Sequence, residues 1–331
     1  MAVAKHQVQK LGDQARSLGL EEYILQLELD GLAIVPPEHT GVPMSAIDQA
    51  AELMLADAEN ITGSAFSLES GPAEELEWPA PPFGLHLGDP KAAGEIGEVT
   101  QFQLQSLHSR HRVFRDLIIN PVALALVEHT MATQPMLSSS NGFVKWKGDF
   151  GYGNNLGLHS DQGLVPMPWG ATAFNSNATW CLTDYAQEDG ALAYVPGSHR
   201  ESGKPPADAH ERAIAAAAPK GSLIVFHGAT WHGAYARTNP GMRLTLANYY
   251  SHPVIQPQED LRHGFDPLLA NDCDNPELLN QVLGLNAFGP YATTDNTERV
   301  KFGMGWLPHV KGRVPHEITP LTTINRNTAG E

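Results

Sequence analysis

The chain has 331 residues, of which 42% are hydrophobic and 18% charged, with 21 Lys and Arg against 37 Asp and Glu for a formal net charge of −16. That length suffices for a large core in one domain, no run approaches the roughly 20 apolar residues of a membrane span, and the acidic balance disfavours nucleic acid, anionic membranes and, less strongly, polyanionic substrates. With only Cys181 and Cys273 there is no disulfide framework or thiolate cluster, and the N-terminus lacks the apolar core of a secretory signal, so a reducing, cytoplasmic setting and a neutral or cationic small-molecule substrate are expected.

In chain order, Leu18, Leu20, Tyr23, Ile24 and Leu27 recur at helical spacing, so residues 14–30 read as an amphipathic helix, followed by a short strand over 30–36. Ser45 is the expected N-cap of a second helix over 46–59 that buries Ile47, Ala50, Leu53 and Met54. Residues 61–96 are rich in Gly, Pro and Glu and read as a long loop, either over a barrel mouth or as inert surface. A strand over 100–107 precedes a helix over 112–130 that is interrupted near Asn120-Pro121. Residues 142–147 alternate as a strand, and the Gly-rich stretch 148–157 reads as a mobile hairpin loop, because its glycine spacing is not a dinucleotide fingerprint and no helix pattern follows. Core strands are expected over 171–183, 191–195, 222–226 and 242–250. Beyond Pro253 only a helical patch at 276–285 and strand-like residues at 300–306 stand out, so the tail 253–331 is a lid, a dimer contact or an outer layer.

The chemistry concentrates in Gly157-Leu158-His159-Ser160-Asp161-Gln162, where a strand would set His159 and Asp161 on one face. An imidazole, a carboxylate and a distant second histidine make a facial triad that leaves positions open on a non-haem iron. Trp231-His232-Gly233 ends an apolar, strand-like run that begins at Gly221, and His232 is the candidate second histidine. His227, on the same run, is its rival.

His159-x-Asp161, Glu188-Asp189-Gly190 leading into Pro196-Gly197-Ser198-His199, then Trp231-His232-Gly233 and Arg243 together resemble the phytanoyl-CoA hydroxylase family of Fe(II)- and 2-oxoglutarate-dependent oxygenases. The family's arginine eleven residues past the second histidine favours His232, which has Arg243 there, over His227. The resemblance covers about residues 100–250 and, weakly, the N-terminal part. It implies a mainly β protein with flanking helices (α+β): a double-stranded β-helix, or jelly-roll, cupin-like barrel within one domain over 1–331, with an N-terminal helical buttress over 14–60 and a C-terminal extension over 253–331. It implies Fe(II) held by His159, Asp161 and His232, with 2-oxoglutarate and O2 as cosubstrates and succinate and CO2 as products. Arg243 would grip the distal carboxylate of 2-oxoglutarate, and Thr179, counted back from Asp189-Gly190, would donate a hydroxyl hydrogen bond to it, although a one-residue slip would turn Thr179 to the other face. His199 reads as structural, and Phe143, Tyr152, Trp180 and Trp231 as substrate wall or core. Hydroxylation of a small organic molecule is expected; desaturation and ring formation stay open, and halogenation is disfavoured because Asp161 fills the position that halogenases leave to a small residue. A non-catalytic metal-binding barrel and a Zn hydrolase are the readings from other classes, of which Arg243 argues against the first; no Gly-x-Ser-x-Gly elbow supports a serine enzyme. The substrate's identity and any homo-oligomer are not legible.

Overall fold

The computed structural model describes residues 14–76, 100–148, 153–261 and 265–285. Helices α1 (Glu21–Asp30), α2 (Met44–Thr62), α3 (Arg112–Ile118), α4 (Pro121–Met131) and α5 (Pro276–Val282) flank two antiparallel sheets. The larger sheet has six strands, β1 (Leu32–Val35), β4 (Gln101–Leu104), β5 (Met136–Gly148), β6 (Asn175–Cys181), β9 (Leu223–His227) and β11 (Arg237–Ser251), in the order β1-β9-β6-β11-β5-β4. The smaller, in the order β10-β7-β8, is built from β7 (Leu192–Tyr194), β8 (Ile214–Ala215) and β10 (His232–Ala234). A short hairpin of β2 (Phe66–Ser67) and β3 (Gly71–Pro72) stands apart.

The two sheets close on each other as a double-stranded β-helix, and the strand period of two divides its chemistry. On β11, Met242, Leu244, Leu246 and Tyr250 enter the main core, which α1 to α4 also fill, while Arg243, Thr245, Ala247 and Tyr249 line the barrel interior. On β6, Ala178 and Trp180 enter that core while Asn177 and Thr179 face inward. Both faces are covered, so β6 is buried at every residue and reads as an unbroken run rather than an alternating one. A second core joins Leu32, Cys181, Ile224 and Phe226 of the large sheet to Tyr194 of the small one and to Ala191 and Ala216, which flank its strands β7 and β8. Helix α4 packs on β6 and β9; its Asn120 cap accepts from the Val122 and Ala123 amides at 3.0 Å each, which is why the sequence breaks there and restarts at Pro121.

Several sequence expectations need correction. The helix expected over 14–30 is two pieces, because Gly19 at φ +67° ends the first turn and Leu20, not Leu18, turns into the core. Ser45 lies inside α2, whose N-cap is Pro43 with no side-chain bond. His159 and Asp161 do not share a strand: His159 makes a single antiparallel bridge to His232, and Asp161 opens a 3-10 turn, Asp161–Leu164. The run from Gly221 to Gly233 divides at the turn 228–231, so His227 ends β9 in one sheet and His232 begins β10 in the other. The loop expected over 61–96 contains the β2–β3 hairpin; its remainder from 77, residues 149–152 of the Gly-rich stretch with Tyr152 among them, and the strand expected over 300–306 lie outside the described residues, while Gly153–Asn155 of that stretch form a 3-10 turn. No helix of the described residues is long and apolar enough to cross a membrane.

Candidate metal centre

His159, Asp161 and His232 come together although no single strand carries them, with one ligand atom from each lying within 4.8 Å of the others. Reciprocal backbone bonds of 2.9 Å between His159 and His232 fix the two histidines side by side, and their ring centroids are 4.3 Å apart. Next to them, Gly233 approaches the backbone so closely that a Cβ would strike the Leu156 carbonyl, which is why glycine follows this histidine.

Hydrogen bonding sets the direction of each imidazole. The His159 Nδ1 donates to the Gly157 carbonyl at 2.9 Å and the His232 Nδ1 to the Thr230 carbonyl at 3.0 Å; a carbonyl only accepts, so the proton of each neutral ring sits on Nδ1 and the Nε2 lone pair faces Asp161. The Nε2 atoms lie 3.5 Å from Asp161 Oδ1 and 3.7 Å from Asp161 Oδ2. Three acceptors therefore converge with no donor among the neutral forms, and a cation answers that arrangement. Burial pushes His232 down to about 4, with Asp161 opposing, so this ligand is neutral across the physiological range. At His159 burial pulls the same way, but the Asp161 carboxylate and the Gly157 carbonyl outweigh it and raise the imidazole above its ordinary value. Asp161 is itself burdened by burial, yet the two histidines and the amide of Asn177, 2.6 Å from Oδ2, hold it below the usual carboxylate range. Two imidazoles and one carboxylate, without thiolate, fit iron(II).

The triad opens on a cavity of about 270 Å³ that Arg243, Thr179, Thr245, Asn177, Phe143 and Tyr185 help to line. Arg243 is only 4% exposed. One guanidinium nitrogen donates to Thr245 Oγ1 at 3.0 Å, the group stacks 5.2 Å from the centroid of the Tyr185 ring, and its Nε is buried without a partner. No carboxylate of the described residues pairs with it. A buried, half-satisfied guanidinium fits the carboxylate of a dicarboxylic cosubstrate. Thr179 reaches the cavity, but the hydroxyl against Arg243 is that of Thr245, two residues along the same strand and visible in the sequence as Arg243-x-Thr245.

Other residues take different places. Of the aromatics singled out, Phe143 lines the cavity, Trp180 is fully buried in the main core, and Trp231 packs with Val195 and Ala209, donating its indole N–H to the Gly203 carbonyl at 3.0 Å. Tyr185, Phe226 and Tyr249 line it instead. His227 sits against His199 at 5.4 Å between centroids, away from the triad. In the Pro-Gly-Ser-His turn it is Ser198 that acts on the centre, accepting from the Trp231 amide at 2.9 Å one residue before His232. Asp189 ties its turn to β11 through Arg237, at 3.2 Å, rather than facing the cavity. Part of the tail serves the wall: Gln258 lines it, with Ser139 donating to its side chain at 3.1 Å, and Glu259 accepts from the Ser106 and Ser140 amides at 2.8 and 3.2 Å, pinning this segment to β5.

The profile of the phytanoyl-CoA dioxygenase (PhyH) family matches residues 86–245. Dioxygenase af480 of Aspergillus fumigatus is 30% identical over 242 residues, which are 67% of this chain and 75% of that protein. Among solved structures, the non-heme alpha ketoglutarate dependent epimerase SnoN from nogalamycin biosynthesis matches with a TM-score of 0.50 at 18% identity, over 73% of this chain and 87% of that one. The non-heme alpha ketoglutarate dependent carbocyclase SnoK of the same biosynthesis matches with a TM-score of 0.50 at 17% identity, over 72% and 87%. The two structures share the fold.

Proposed function

From the premise that the chain belongs to the phytanoyl-CoA dioxygenase family and is a non-haem Fe(II)- and 2-oxoglutarate-dependent oxygenase, we propose that it hydroxylates a small organic molecule, with His159, Asp161 and His232 as the iron ligands and Arg243 as the cosubstrate anchor. The observation that carries this reading is the pairing of an acceptor-only triad with a buried guanidinium whose Nε has no partner, both facing one cavity. When bound, iron, 2-oxoglutarate and O2 supply the oxidising equivalents, and succinate and CO2 leave. The protein's residues do the rest. The two Nδ1 bonds to backbone carbonyls point both imidazoles at the ion, the Arg243 fork fixes one end of the cosubstrate, and Thr245 fixes that fork. Tyr185, Phe226, Leu192 and Phe143 exclude water from the cavity, which keeps the oxidation on the substrate. Thr179, which lines the same cavity, would add a hydroxyl hydrogen bond to the cosubstrate.

Apart from the triad and Arg243, the described residues of the cavity wall carry no charge; Gln101, Gln103, Asn141 and Gln258 give it neutral hydrogen-bonding groups. A neutral small molecule with hydroxyl or carbonyl groups suits that wall better than a polyanion. The test is succinate release measured with Fe(II), 2-oxoglutarate and a panel of candidate substrates, with products identified by mass. A gain of one oxygen atom coupled to succinate supports hydroxylation. Coupled loss of two hydrogens instead assigns desaturation or ring closure, and no stimulation of succinate by any substrate while iron is bound contradicts the oxygenase reading.

A further inference from the structure

We infer that Asn177 is a positioning residue for the metal site, which holds the Asp161 carboxylate in its ligating orientation; this rests on the iron-site reading above. Asn177 lies at the centre of β6, paired with Phe226 of β9 on one side and Tyr249 of β11 on the other, so its backbone is fixed from both edges. Its side chain points into the barrel and the residue is 6% exposed. A buried amide costs free energy unless its hydrogen bonds are met, and apolar neighbours such as Phe226 would accept an aliphatic side chain there. Among the described residues the one hydrogen bond of this side chain is Nδ2 to Asp161 Oδ2, 2.6 Å long and charge-assisted.

A second contact makes the arrangement directional. Asn175, two residues earlier on the same face, donates to the Asp161 backbone carbonyl at 3.3 Å and accepts from the Gly228 amide at 2.9 Å, while the Gly228 carbonyl in turn accepts from the Gln162 amide at 2.9 Å. Asn175 thus sets where the main chain of Asp161 lies, and Asn177 sets where its carboxylate points. Asp161 opens a turn rather than sitting in a ladder, so without Asn177 no strand neighbour would fix its side chain. The amide engages Oδ2 and leaves Oδ1, 3.5 Å from His159 Nε2, without an amide donor. Asn177 therefore acts on the ion through Asp161, by limiting the rotation of that carboxylate.

The experiment titrates the metal-free full-length chain with Co(II), reading heat and the visible absorption of the ion, for wild type, Asn177→Leu, Asp161→Ala and the double variant. Leucine keeps the branched shape of asparagine and removes the donor. The expected result is a roughly 10- to 100-fold weaker Co(II) dissociation constant for Asn177→Leu with an altered absorption envelope, an undiminished melting temperature of the metal-free protein, and no further loss when the change is added to Asp161→Ala. Asn177→Ala, which leaves space instead of filling it, should lose affinity by a similar factor and replaces the leucine variant should that one not fold. Wild-type affinity and spectrum in Asn177→Leu overturn the inference, as does an equal loss with and without Asp161, which marks a merely structural role. Where Asp161→Ala binds too weakly to titrate, the spectrum decides: an unchanged envelope in Asn177→Leu overturns it. Equal Co(II) binding by wild type and Asp161→Ala contradicts the metal site itself, a different failure.

Discussion

Replacing Arg243 by Met tests the cosubstrate anchor through two opposed effects. The guanidinium is 4% exposed, touches Thr245 at 3.0 Å and Tyr185 across its ring, and has no carboxylate partner among the described residues. On the proposed anchor, the carboxylate of bound 2-oxoglutarate would complete a buried charge pair, and truncating one member of such a pair costs about 2 to 5 kcal/mol. At about 1.36 kcal/mol per tenfold, this corresponds to a loss of roughly 30- to 5,000-fold in 2-oxoglutarate affinity. In the cosubstrate-free protein the same replacement removes an unpaired buried charge and fills its space, so the melting temperature should not fall. Arg243→Lys, which keeps the charge but not the fork, should lie between wild type and Arg243→Met in affinity. Calorimetric titration of the iron-loaded protein with 2-oxoglutarate in the absence of oxygen, beside thermal unfolding of the free protein, measures both. Affinity within about threefold of wild type, or a fall of several degrees in the free protein, would refute the assignment and make Arg243 a structural residue.

His159→Ala and Asp161→Ala should each abolish succinate formation and tight Fe(II) binding while leaving far-ultraviolet circular dichroism unchanged; normal iron content with full turnover in either would contradict the triad. Gly233→Ala should weaken iron binding, because the new Cβ displaces the Leu156 carbonyl and with it the Gly157 carbonyl that orients His159; an unaffected iron content would show that the chain yields at no cost to the site. Burial, helped by nearby His199, pushes His227 down to about 4, so between that value and its ordinary one near 6.5 the unfolded chain binds more protons than the folded one. Stability of the metal-free protein should therefore be lost as the pH falls through this window, by up to about 3 kcal/mol from this residue, and the stability of His227→Gln from denaturant unfolding should depend less steeply on pH; an identical pH dependence would mean that His227 takes up its proton equally in the folded and unfolded chain.

What the sequence showed and what it concealed follow from the range of the interactions. The alternation over 142–147 is local, so a strand there, with Phe143 as wall or core, was legible before any pairing was known, whereas Arg243 was marked by the resemblance and its inward face is set by the pairing of β11. Asn120-Pro121 announced its helix boundary for the same reason, since cap and proline act within a few residues. The triad's members were also legible, but the manner of their meeting was not: His159 reaches its place by one bridge to a strand more than seventy residues away, and period two over His159-x-Asp161 suggested a strand that does not form. Thr245 was masked by counting from a distant motif instead of along its own strand, and Asn177 lay in a run whose burial on both faces erased the alternation that would have marked its inner side. Ser198 drew less notice than the adjacent His199 because histidine is the usual ligand; its role is a hydrogen bond to a backbone amide that no spacing reveals.

The central claim, that His159, Asp161 and His232 hold iron beside a cosubstrate anchored by Arg243, is tested most directly by a crystal grown without oxygen in the presence of Fe(II) and 2-oxoglutarate, with diffraction recorded on both sides of the iron absorption edge. The account predicts one anomalous iron peak bonded to those three side chains, with a carboxylate of 2-oxoglutarate on the Arg243 guanidinium. An iron peak elsewhere, or 2-oxoglutarate bound with its carboxylates away from Arg243, would contradict it.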